Sequence, residues 1–113
     1  MNCPSPNTAC SERVARFDLF RRPRSQPGYL LQLQCDFLDA LETRVVAPLL
    51  PPASVPLPMR DLHPRFDIEG EPYLLATHLL GAIPKRELGR PVGSLAQHQD
   101  EITRALDLLM TGF

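Results

Sequence analysis

Apolar and polar residues alternate with a period of two in several short runs of the chain, and with a helical period in one. In ARFDLF (15–20), Phe17 and Leu19 fall on one side and Arg16 and Asp18 on the other, the pattern of a half-buried strand. RRPRSQPG follows, with two prolines and a glycine, and predicts a hairpin loop. YLLQLQC (29–35) sets Leu31 and Leu33 against Gln32 and Gln34, giving a second strand with a polar outer face. RVVAPLL (44–50) is β-branched, ends in Pro51-Pro52 and predicts a third. DFLDALET, between them, is short and acidic and fits either a turn or a brief strand. The proline-dense PPASVPLPMRDLHP (51–64) predicts an extended loop with an edge strand, where proline's missing donor is tolerated. RFDIEGEPYLLAT (65–77) reads as a hairpin: Phe66 and Ile68 alternate with Asp67 and Glu69, Gly70 turns the chain, and Tyr73 to Thr77 returns. In HLLGAIPKREL, apolar and then charged, Gly81 marks a bulge or bend.

The last segment changes period. Leu95, Ile102, Ala105, Leu106, Leu109 and Met110 fall on one face at helical spacing, and Asp100 and Arg104 pair at i,i+4 on the other. Ser94 with Gln97 three residues on has the spacing of a capping box, and Gly112 stands where a helix C-terminus favours glycine. Thirteen prolines forbid long helices elsewhere, and Val92 to Phe113 is the long proline-free stretch near the end. The class is therefore mostly β (α+β): closely spaced antiparallel strands and one C-terminal helix.

At 113 residues the chain holds one domain. Residues 1–13 lack periodicity and predict a disordered tail, with a single domain over 14–113 and Val14 as a second candidate start. A formal charge of −1 argues against direct nucleic-acid binding. No apolar run is long enough to span a membrane, and MNCPSPNTACSERVA has no apolar signal core. Three cysteines without a secretory context read as reduced cytoplasmic thiols.

Candidate chemistry is sparse. Cys3, Cys10 and Cys35 lack the close spacings and histidine partners of a zinc site, so no metal or cofactor is expected. His63, His78 and His98 sit on three different elements with no nucleophile in a recognisable setting, which favours structural histidines. Arg21, Arg22 and Arg24 form a basic loop, and Asp36, Asp39 and Glu42 an acidic patch. Both read first as solvated segments. There is no phosphate-binding loop, dinucleotide fingerprint or nucleophile elbow.

Four pieces together carry a resemblance: RFDLF (16–20), DFLDALETRVVAPL (36–49), HPRFDIEGEPYLLATHLLGAIP (63–84) with Pro64 and Pro84, and DEITRALDLLMTGF (100–113). In order, spacing and C-terminus they resemble the CcdB family, the toxin half of a bacterial type II toxin–antitoxin pair. The resemblance implies a small SH3-like barrel, with a five-stranded antiparallel sheet, a smaller three-stranded sheet and a C-terminal helix, assembled as a homodimer. It also implies a binder and not an enzyme. Its target would be the GyrA subunit of DNA gyrase, trapped on cleaved DNA, and a partly disordered CcdA-like antitoxin would silence it.

Carried over by position, the family's target contacts fall on Phe37, Asp107 and the terminal tripeptide Thr111, Gly112 and Phe113. Leu106, Leu109 and Met110 fall on the helix face that packs into the core or dimer. Gly112 matches the family motif. Thr111 departs from it, because the family's gyrase poison has a tryptophan there that stacks on a gyrase arginine, a contact of about 1–2 kcal/mol. This chain has no tryptophan. Two alternatives follow. One is a dimer that binds antitoxin but has lost or changed its target. The other is an endoribonuclease of the related MazF and Kid type, for which Asp39, Arg44 and His63 are the nearest acid, arginine and base.

Overall fold

The computed structural model describes residues 16–22, 27–35 and 40–112. Seven strands and one α-helix lie within them: β1 (Asp18–Arg21), β2 (Tyr29–Gln32), β3 (Thr43–Leu50), β4 (Arg65–Ile68), β5 (Glu71–Leu75), β6 (Gly81–Pro84), β7 (Gly93–Ser94) and α1 (Gln99–Thr111). Every strand pairing is antiparallel.

The eight-residue β3 organises the sheet. Along one edge it pairs with β2, Val46 opposite Gln32 through Leu49 opposite Tyr29. Its other edge is shared: Thr43 to Val46 pair with β6, and Leu49 and Leu50 pair with β5. The seven strands form one curled sheet that branches at β3, with β6-β3-β2-β1-β7 in one direction and β3-β5-β4 in the other. The resemblance implies two sheets, of five and three strands, and here the corresponding arms are continuous through β3. Pro48 stands at the changeover. Its carbonyl accepts the Ala76 N–H at 2.8 Å, so its own nitrogen faces the same side. There β6 has ended and β5 has not begun, and the missing proline donor interrupts no ladder.

The β4–β5 hairpin forms as its alternation predicts. Glu69 and Gly70 both take positive φ, 54° and 81°, which a two-residue type I′ turn requires. β6 is a strand where the sequence indicated only a bend at Gly81. Four residues, two exposed and two half-buried, carry too little alternation to announce it. The proline-dense segment holds a 3-10 turn (Pro52–Ser54) and hydrogen-bonded turns, and the expected edge strand is absent from it.

At the start, the strand begins at Asp18 and not at Ala15. Phe17 adopts φ 72°, costly for a bulky residue at about 1–3 kcal/mol. Two hydrogen bonds of 2.8 Å hold it there, from its N–H to the Gln32 carbonyl and from the Leu95 N–H to its carbonyl. The bend keeps the Phe17 ring in the core with Leu19.

The polar face expected of β2 is also corrected, since Gln32 and Gln34 are buried. Gln34 explains itself. Just past the end of β2, its side-chain amide accepts the Val45 N–H at 3.1 Å and donates to the Thr43 carbonyl at 3.1 Å. It thus stands in for a peptide group after the backbone bond from Leu33 N–H to Val45 O. Gln32 donates to the Gln34 carbonyl, and Arg44, only 2% exposed, donates to the carbonyls of Leu41 and Thr43. A polar network thus closes the start of β3, where burial without partners would cost several kcal/mol.

The main core lies between the curled sheet and α1: Leu19, Leu31, Ala47, Leu49, Phe66 and Leu75 against Leu95 and Ile102, with Leu106 packed at its margin. Ile102 is fully buried, so Ile102→Ala should lower unfolding free energy by about 2–5 kcal/mol in urea denaturation. Gln34→Leu keeps the volume but orphans Val45 N–H and Thr43 C=O. It should cost about 1–3 kcal/mol for each group left unpaired, measured the same way.

Candidate functional site

Helix α1 follows a 3-10 turn without a side-chain cap of its own and is ended by glycine. The Ser94 hydroxyl accepts the Ala96 N–H at 3.1 Å, and a 3-10 turn (Ala96–His98) leads into Gln99. The Ser94–Gln97 capping box does not close, because the Gln97 amide lies 3.4 Å from His98 Nε2 instead. Asp100 and Glu101 occupy the first turn, where the helix dipole favours negative charge, and Glu101 also meets His98 Nδ1 at 3.1 Å. At the other end Gly112 takes φ 84° and its N–H caps the Leu108 carbonyl at 2.9 Å, the left-handed stop that favours glycine.

Ile102 and Ala105 point into the core, Leu106 packs on it, and Leu108 and Leu109 are half-buried. Met110 does not follow them inward: it is 72% exposed. Eight residues on from Ile102, it stands about 80° around the helix from that buried position, at the edge of the apolar stripe. Asp107, Thr111 and Gly112 are exposed as well. The last turn of α1 therefore presents Asp107, Met110, Thr111 and Gly112 outward as one strip. Within it the Thr111 hydroxyl is already used, donating back to the Asp107 carbonyl at 2.7 Å. Its methyl and the acceptor side of the hydroxyl oxygen remain to meet a partner. Phe37 and Phe113, the other two predicted contacts, lie outside the described residues.

The acid–base candidates do not converge. Asp39 lies outside the described residues. Arg44 opens β3 opposite Ile83, whereas His63 precedes Pro64, whose carbonyl accepts the Leu75 N–H. Leu75 pairs with Leu49, five residues further along β3 from Arg44, about 17 Å at strand rise. Both side chains are committed, Arg44 to backbone carbonyls and His63 to the contacts below.

Of the basic loop, Arg22 donates to the Pro27 carbonyl and Arg21 lies over the Tyr29 ring at 5.9 Å, while Arg24 is outside the described residues. Asp36 of the acidic patch is also outside them, and Glu42 is exposed. Cys35 is exposed and free, Cys3 and Cys10 are not described, and no metal-binding cluster occurs among the described residues. Among them, too, no helix is long and apolar enough to cross a membrane.

One constellation escapes a linear reading. His63 Nε2 and His78 Nδ1 lie 2.9 Å apart, the rings edge to face with centroids at 4.8 Å. His63 is buried, and its Nδ1 accepts the Met59 N–H at 2.9 Å. Burial, then the neighbouring His78, lowers the His63 pKa below the ordinary histidine value. The signal was the β4–β5 hairpin: His63 precedes it, His78 follows it, and a hairpin brings its ends together. His98 stays apart, tilted against Phe66 at 5.0 Å between centroids.

A sequence model of one protein family, described as CcdB protein, matches residues 16–112. Among curated proteins no sequence matches the chain. The matched region runs from the Phe17 bend to the glycine that ends α1, and the curled antiparallel sheet with its C-terminal helix is the fold that the resemblance implied. The chain belongs to the CcdB family, toxins of toxin–antitoxin pairs that are generally inhibitors of DNA gyrase.

Proposed function

We propose that this chain is a toxin that binds the GyrA subunit of DNA gyrase and traps the enzyme on cleaved DNA. In this reading it works as a cytoplasmic homodimer, without a cofactor and without catalysing a reaction, and a CcdA-like antitoxin neutralises it. The observation that carries the proposal is the exposed strip at the end of α1, which includes Asp107, Thr111 and Gly112, the positions onto which the resemblance carries target contacts. Asp107 supplies a charge, Gly112 a backbone that a partner can approach closely, and Met110 an exposed, polarisable apolar group. Thr111 cannot replace a stacking tryptophan, since it has no ring face to lay on a partner's guanidinium. The apolar part of the contact then falls to Met110 and to Phe113 at the end of the chain.

That same threonine favours a second reading, a dimer that still binds antitoxin but no longer poisons gyrase. The ribonuclease alternative has less behind it, with Arg44 buried near the start of β3 and His63 buried in the turn before β4, far from it.

The purified protein should accumulate cleaved plasmid when incubated with gyrase. Removing Gly112 and Phe113 should abolish this while thermal unfolding stays within a few degrees of the full chain. Trapping by the truncated protein would refute the role of the helix end. Met110→Ala should weaken trapping roughly tenfold, the scale of one apolar anchor at an interface. Labelled RNA incubated with the protein alone should remain intact, and its cleavage would establish the ribonuclease reading instead. Growth arrest absent on overexpression, together with tight antitoxin binding, would establish the non-poisoning dimer.

A further inference from the structure

The proline-dense segment between β3 and β4 is anchored at both ends and thinly held between. Val55 packs with Leu50 and Ala76 at its start, and the Pro64 carbonyl accepts the Leu75 N–H at 2.9 Å at its end. Between these points Leu57 is 84% exposed and Met59 56% exposed. Two bonds close the turn that carries Met59, and both run to His63. The His63 N–H donates to the Met59 carbonyl at 2.7 Å, and the Met59 N–H donates to His63 Nδ1 at 2.9 Å.

The second bond fixes the protonation of the ring. A nitrogen that accepts the Met59 N–H carries no hydrogen, so the proton of neutral His63 sits on Nε2 and is donated to His78 Nδ1. Each imidazole then has one role, and the arrangement is satisfied only while both are uncharged. A proton on His63 Nδ1 would set two N–H groups against each other at the Met59 bond. A proton on His78 Nδ1 would do the same between the rings.

We propose that the His63–His78 pair is an acid-sensitive latch: uncharged, it closes residues 56–63 into the turn that presents Leu57 and Met59, and protonation opens it. The other charged groups around the pair lie on its own turn and on the elements packed against it. Its own turn carries Arg60 and Asp61, both exposed, and Arg65 is engaged with Asp67 at 3.3 Å. The Pro52–Ser54 turn has no titratable side chain, and Thr77–Leu79 brings only His78. On β4 and β5 the remaining titratable groups are Glu71 and Tyr73; α1, which packs against the Thr77–Leu79 turn, carries Asp100, Glu101, Arg104 and Asp107, all exposed, and His98, in the turn before α1, faces Phe66 and Glu101. The direction follows from the burial of His63 and from His78, which both favour the neutral ring. The latch is closed above the ordinary histidine range and is lost as pH falls through the depressed His63 value.

Hydrogen exchange of the full-length protein, corrected for the intrinsic pH dependence of exchange, tests this. Between about pH 7.5 and about pH 5, protection of the Met59 and His63 amides should fall about tenfold, with β2 and β3 unchanged. In His63→Asn the side-chain oxygen can still accept the Met59 N–H but cannot titrate, so protection should be independent of pH. Unchanged protection of the natural protein at the lower pH, or an equal fall in His63→Asn, would overturn the proposal. Should His63→Asn not fold, long-range proton–nitrogen spectra of the natural protein decide. His63 Nδ1 must gain its proton with the same midpoint at which Met59 loses protection, and different midpoints would overturn the latch.

Discussion

Strand β3 has to serve two partner strands along one edge, and this constraint shapes the rest of the molecule. A strand eight residues long can accept β6 over its first half and β5 over its second only if the ladder tolerates a break between them. Pro48 fills that break without leaving a donor unsatisfied, and the Ala76 N–H takes up its carbonyl. The changeover lets the sheet curl, and the curl makes the concave face on which α1 lies. Replace the break by a continuous partner and the core between Leu49, Phe66 and Ile102 would lose one of its walls.

The position of α1 follows from the same geometry. Its first turns sink Ile102 and Ala105 into the core. By Met110 the side chain is outside, and the helix stops two residues later at Gly112. The last turn of α1 is thus anchored by the core on one side and presented outward on the other. A rigid, exposed helix end loses little conformational entropy on meeting a partner, an advantage in binding that does not depend on the area buried.

Much of this was legible in the sequence, for identifiable reasons. The β4–β5 hairpin was readable because alternation and Gly70 agree, and α1 because a long proline-free stretch keeps a helical period up to a glycine. β6 was not, since four residues, two exposed and two half-buried, leave no alternation. Gln32 and Gln34 misled because glutamine ordinarily marks the wet face of a strand, whereas here one side-chain amide replaces a peptide group. Met110 misled because its spacing fits the stripe while its angle lies at the margin. The histidine pair was hidden by sequence distance, although the hairpin between its members pointed to it. At the candidate site Asp107, Thr111 and Gly112 share one exposed strip, and the bond from the Thr111 hydroxyl to its own helix is a contact that no sequence pattern announces.

The central claim is that the last turn of α1 is the surface that meets gyrase. Amide protection and chemical-shift changes on titrating the isotope-labelled protein with the isolated GyrA subunit test it most directly. The account predicts that the largest changes fall on Asp107, Met110, Thr111 and Gly112, with the β4–β5 hairpin tip at Glu69 and Gly70 unaffected. Binding that perturbs the hairpin tip and leaves the helix end unchanged would contradict it.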